Sequence, residues 1–164
     1  MAEFLLDSDC FLQAAKVHYP LDVATGFWLK LAELADAGAI CSIDRVKNEL
    51  YTNKDELTEW MDKHLPSDFW LLSGTAIVPY GQLMVWAQNN PVNFKPTALT
   101  EFARAANADP WLAAVATQQS STVVTHELSR PDARSRVMLP DACIHLGTNY
   151  CNTIEMFRSL KVTF

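Results

Sequence analysis

At 164 residues the chain is long enough for one domain that buries roughly two-thirds of its unfolded surface without disulfide or metal staples. Its 49% hydrophobic and 20% charged residues, with no low-complexity tract or internal repeat, exclude a disordered or fibrous chain. The net charge of −6 gives no long-range steering toward nucleic acid, but it does not exclude a nuclease, because an acidic cluster that holds Mg2+ brings its own cations to a phosphate.

The first predicted element is a strand at Phe4-Leu5-Leu6, an uninterrupted apolar run of the kind a parallel strand shows when both its faces are covered. Asp7 stands at its carboxyl end and Asp9 follows in D-x-D spacing. In open α/β sheets ligands bind at that end, so Asp7 reads as a metal ligand, a nucleophile or the N-cap of the next helix. Residues 10–17 read as that helix. Residues 25–37 carry Phe27, Trp28, Leu31, Leu34 and Ala35 at helical spacing, and Gly38 closes the helix. A second strand is expected at 39–43, then a helix with Asp44 as N-cap that carries Glu49, then a charged helix over 54–64.

From Phe69 to Phe94 there is no charged residue. Gly74, Pro79, Gly81, Gln82 and the run Gln88-Asn89-Asn90-Pro91 interrupt the stretch, and no Lys/Arg cluster flanks it. A membrane span is therefore not expected, and the stretch reads as a short strand at 69–72 followed by a buried helix at 76–88 with Pro79 in its first turn. A helix at 97–106 precedes A-D-P-W-L-A-A-V-A, where Asp109 is expected as N-cap and Pro110 as first helical residue. Ser121–Thr125 is the clearest strand, rich in β-branched residues. A polar, partly basic loop (HELSRPDARSRVM) leads to a short helix at L-P-D-A-C-I-H-L ended by Gly147, a last strand at 149–152 and a helix at 153–160. Strands alternating with helices imply right-handed crossovers and a mostly parallel sheet between helix layers, so the fold class is α/β.

Cys10, Cys41, Cys143 and Cys151 form no C-x-x-C pair and no secretory signal precedes them. Reduced thiols in a cytoplasmic protein are expected. Cys143, His145 and Cys151 lack a fourth zinc ligand and sit among apolar residues, which favours packing over metal binding.

Four acids fall near element ends: Asp7, Glu49, Asp109 and Glu127, the last two residues beyond the STVVT strand. Brought together, such acids would offer a hard divalent cation an all-oxygen site next to a phosphodiester. Each has a plainer reading: Asp109 as a cap, Glu49 as a solvated face residue, Glu127 as a loop acid.

The segments FLLDSDCF at 4–11, SIDRVKNEL at 42–50, ADPWLAAVA at 108–116, VVTHE at 123–127 and LPDAC at 139–143 together resemble PIN-domain ribonucleases, and more closely a PIN-like branch of small, toxin-like proteins. The resemblance implies a three-layer α/β/α fold, a Mg2+ or Mn2+ site, and endoribonuclease activity in which a metal-activated water hydrolyses RNA. Carried over by motif, the metal and catalytic acids are Asp7, Glu49, Asp109 and Glu127. The family commonly has T-x-D or T-x-N where this chain has Thr125-His126-Glu127, one methylene longer, so Glu127 and Asp141 compete for the fourth acid position, Asp9 and Asp141 are available to supplement the site, and Thr125 is expected to orient Asp7. The resemblance further implies the toxin of a type II toxin–antitoxin module, with an antitoxin partner and a homodimer. Arg130, Arg134 and Arg136 offer bidentate phosphate contacts.

Two rival readings stay open. LLDSDCF also fits haloacid-dehalogenase-like phosphotransferases, with Asp7 as nucleophile and Asp9 as general acid, although no later Lys motif follows in the expected order. The other is a non-catalytic PIN-like module that binds RNA or protein without cutting.

Overall fold

The computed structural model describes residues 1–164. Five strands, β1 (Phe4–Leu6), β2 (Ile40–Ile43), β3 (Trp70–Leu71), β4 (Thr122–Val124) and β5 (Tyr150–Cys151), form one sheet in the order β3-β2-β1-β4-β5. Every pairing is parallel, with Phe4 beside Ile40 on one side and beside Thr122 on the other. The three inner strands are apolar and buried almost throughout, as a sheet covered on both faces requires. Chain direction across the sheet reverses between β1 and β4, which makes their carboxyl ends a topological switch point.

Nine α-helices cover the sheet: α1 (Ser8–Gln13), α2 (Thr25–Asp36), α3 (Asp44–Leu50), α4 (Glu56–His64), α5 (Ile77–Gln88), α6 (Pro96–Ala103), α7 (Ala108–Gln119), α8 (Leu139–Leu146) and α9 (Thr153–Leu160). The arrangement is a three-layer α/β/α fold. Helix α7 is apolar on every side, with Ala108 and Pro110 through Ala116 all buried, and it lies among α3, α5, α6, α8 and strands β1, β2 and β4. Aromatic contacts of Phe27 with Phe157 and of Trp28 with Trp60 join α2 to α9 and α4. No helix is long and apolar enough to cross a membrane.

Local chemistry sets the element ends. Gly38 and Gly147 take positive φ after α2 and α8, the left-handed conformation that ends a helix at least cost. Asp55 and Asn152 each close a capping box at the start of α4 and α9.

Four expectations need correction. The first helix starts earlier than residue 10 and does not run on as α-helix: a π-turn over Ala14–His18 follows α1, closed by the Tyr19 N–H donating to Ala14 O at 2.7 Å. Asp44 is the first helical residue and not the N-cap of α3, although its carboxylate still accepts from the Arg45 N–H at 2.8 Å. Helix α5 is not a buried helix. It seats Leu83 and Ala87 inward and stacks Tyr80 on Trp111 at 3.9 Å, but leaves Ile77, Val78 and Val85 exposed. Asn107, not Asp109, caps α7: its side chain accepts from the Asp109 N–H at 3.0 Å.

Candidate functional site

Because β1 ends at Leu6, the next residue lies on the rim of the sheet. The Asp7 N–H still donates to Val124 O at 2.9 Å, holding this residue against β4. Its carboxylate caps α1, accepting from the Ser8 N–H at 2.7 Å through Oδ1 and from the Thr125 hydroxyl at 3.0 Å through Oδ2. Thr125 also lies 3.3 Å from Asp9 Oδ2, which accepts the His126 N–H at 3.1 Å. The capping reading of Asp7 is therefore correct as far as it goes, and it leaves the residue facing a cleft.

That cleft has a volume of about 310 Å³ and is lined by Asp7, Asp9, Glu49, Asp109 and Glu127. The structure thus brings together all four acids carried over by motif, and with them Asp9, which the sequence offered as a supplementary acid. Each arrives by a different route. Glu49, on the last turn of α3, accepts the Ala108 N–H at 3.1 Å, so it closes the start of α7 while bordering the cleft. Asp109 sits in the first turn of α7, released from capping by Asn107. Glu127 follows β4; its Oε2 accepts the Leu139 N–H at 3.0 Å, the first amide of α8.

The electrostatics follow from crowding. Burial, then the charges of Asp109, Asp9 and Glu127, push the Asp7 carboxyl well above the usual carboxylate range, against the pull of the Thr125 hydrogen bond. Asp109 is pushed up to about 7, by burial first and then by Glu127; Arg136 works the other way. One carboxylate oxygen, Asp9 Oδ1, is buried without any hydrogen-bond partner.

Arg136 is the cation inside this cluster. It hydrogen-bonds Glu127 Oε1 and stands 3.6 Å from Asp109 Oδ2. Burial opposes its charge, but Glu127 and Asp109 hold its pKa above the ordinary arginine value. The other two arginines expected to meet phosphate do not line the cleft. Arg134 donates through Nε to Asn93 O at 3.1 Å, and Arg130 is exposed, with its backbone N–H on Asp141 at 2.9 Å. Asp141 itself lies outside the cleft, buried, accepting from the Ser129 hydroxyl and from Arg130. It fastens the loop instead of supplementing the acids.

Several lining residues escaped the sequence reading: Ser8, Glu101, Arg104, Asn107 and Ser135. Arg104 pairs with Glu101 at 3.0 Å at the exposed mouth. Only Asn107 had a legible signal, an Asn just before a helix.

An all-oxygen donor set of this charge suits a hard cation such as Mg2+ or Mn2+. The burial and mutual repulsion that raise Asp7 and Asp109, and the unpartnered Asp9 Oδ1, are the observations that fit one. The side chains do not stand as a ready group of three or more metal ligands, and Arg136 occupies the Asp109–Glu127 pair. Cys143 is buried and His145 stacks on Trp86 at 5.0 Å, so these two belong to packing.

Fold and cleft together define a parallel α/β protein with an acid-lined cavity at the switch point of its sheet. The chain belongs to the family described as a domain of unknown function, DUF4411, whose model matches residues 4–164. No curated protein matches it significantly.

Proposed function

We propose that the protein is a metal-dependent endoribonuclease of PIN-like type. The observation that carries the reading is the convergence of Asp7, Asp9, Glu49, Asp109 and Glu127 from separate elements on one cleft, where Asp7 and Asp109 are held with strained charge. Such crowding of acids at a sheet rim costs stability and has no packing benefit unless a cation relieves it.

Asp7, Asp9, Asp109 and Glu127 would hold Mg2+ or Mn2+, with Glu49 bordering them. The cation would supply the charge that activates a water and stabilises the leaving oxygen of a phosphodiester. The Thr125 hydroxyl fixes the Asp7 carboxylate through its 3.0 Å hydrogen bond and so sets the direction in which the acid faces the cleft. Arg104, paired with Glu101 at the mouth, would meet a phosphate of an entering strand only by leaving that partner. Against the phosphotransferase alternative, no lysine lines the cleft.

The resemblance also carries the proposal of a cytoplasmic toxin with an antitoxin partner and a homodimeric state. The four cysteines are free thiols, which suits a reducing compartment.

The test is cleavage of end-labelled RNA by purified protein in Mg2+ or Mn2+, with EDTA and with Asp109→Asn as controls. Cleavage lost in both controls supports the reading. Cleavage that survives in Asp109→Asn, or RNA bound but never cut at any divalent cation concentration, overturns it.

A further inference from the structure

We propose that Arg136 is a built-in counter-ion that holds the Asp109–Glu127 side of the cleft until a divalent cation displaces it, and that the displaced guanidinium then meets the substrate phosphate. This rests on the metal-dependent reading above.

The geometry favours exchange over permanent pairing. Arg136 reaches two carboxylates that belong to different elements, Asp109 on α7 and Glu127 beyond β4. A divalent cation seated on those oxygens would need to lie about 2.0–2.6 Å from them, on lone pairs that the guanidinium now faces. Two fixed positive charges cannot share that space without strong repulsion. The exchange is physically easy, because the Arg136 side chain remains 55% exposed and sits on a segment with no helix or strand between β4 and α8.

The backbone beside it is tethered. Val137 is buried at 3% exposure, the Lys95 N–H donates to Arg134 O at 2.9 Å, and Asp141 ties down Ser129 and Arg130. The side chain can therefore swing while its Cα stays at the cleft wall. Glu127 keeps its place when Arg136 leaves, because the Leu139 N–H still holds Oε2 at 3.0 Å. Outside the acid pair, the guanidinium stays at the cleft wall, where its fork suits a phosphate.

The experiment is calorimetric titration of wild type and Arg136→Gln with Mn2+ alone, without RNA, in low-salt buffer, accompanied by melting curves in EDTA. Removing one positive charge a few ångströms from the cation position should tighten Mn2+ binding by about tenfold, the scale of a single charge neighbour at this range. The EDTA form of the variant should melt lower than wild type and gain more from added Mn2+. In RNA cleavage the KM of the variant should rise by a larger factor than its kcat falls, and Arg136→Lys should recover part of that rise. Arg136→Met, which keeps much of the aliphatic stem, takes the place of the glutamine variant if the latter does not fold. Unchanged or weaker Mn2+ binding in a folded variant, with wild type binding Mn2+ and cutting RNA, overturns the role of Arg136 alone. A wild type that neither binds Mn2+ nor cuts RNA overturns the nuclease reading and this inference together.

Discussion

Two acidic regions of the protein are withdrawn from solvent and behave in opposite ways. Asp141, in the first turn of α8, is buried yet contented: a hydroxyl and a backbone N–H satisfy its two oxygens. The cleft acids are also buried or half-buried, but burial and, after it, the further carboxylates that Asp7 and Asp109 face favour their protonation. The difference separates an acid that a loop needs from acids that a ligand needs. Donors aimed at a carboxylate lower its charge cost locally, whereas carboxylates aimed at one another leave that cost for a cation to remove.

The largest expected effects break the cleft. Asp7→Asn and Asp109→Asn keep side-chain shape but remove charge, and each should lower RNA cleavage by roughly 10²-fold or more, the scale seen when one group that stabilises transition-state charge is lost. Both proteins should stay folded, with a metal-free melting temperature equal to or above wild type. A cleavage rate within a few fold of wild type in either variant removes that residue from the site.

Next in size is a pH effect on the metal-free protein. Burial and the neighbouring carboxylates push the Asp109 carboxyl up to about 7 in the folded protein, against about 3.9 in the unfolded chain. Between those values the folded state holds a proton the unfolded chain has released, so this group makes stability fall as pH rises from about 4 to 7 and level off above. The contribution is at most about 4 kcal/mol, at 1.36 kcal/mol per pH unit. Urea melts in EDTA at several pH values should show the decline, and Asp109→Asn should make it shallower, leaving the part that the raised Asp7 carboxyl contributes. Stability that rises over this window with an unchanged slope in the variant contradicts the crowding argument.

Asp141→Ala sharpens the comparison from the other side. It strands the Ser129 hydroxyl and the Arg130 N–H, so it should cost about 1–3 kcal/mol in denaturant melts, while cleavage per folded molecule stays near wild type. Asp141→Asn should cost at most about 1 kcal/mol, since the amide oxygen can still accept. Thr125→Val frees Asp7 to turn and should reduce cleavage by about tenfold.

Much of this was legible in the sequence because the signals were local. Continuous apolar runs marked the strands, glycine after α2 and α8 marked their ends, and Asp7, Glu49, Asp109 and Glu127 each stood close to an element end. What was hidden depended on distant parts of the chain. Asp109 looked like a cap because Pro110 follows it, but Asn107 takes that role two residues earlier and leaves Asp109 for the cleft. Arg136 looked like one of three equal arginines in a solvated loop. Only the ties from Asp141 and Lys95 place it, and not Arg130 or Arg134, among the acids. Arg104 carried no signal, since its place at the mouth follows from how α6 meets α7.

The most direct test of the central claim is a crystal structure of the protein soaked in Mn2+, read by anomalous scattering. The account predicts a peak in the cleft in contact with Asp7 and Asp109, with Arg136 swung away from Glu127. A peak on Asp141 with Glu127 turned to solvent, or a cleft still closed by Arg136 at saturating Mn2+, would contradict it.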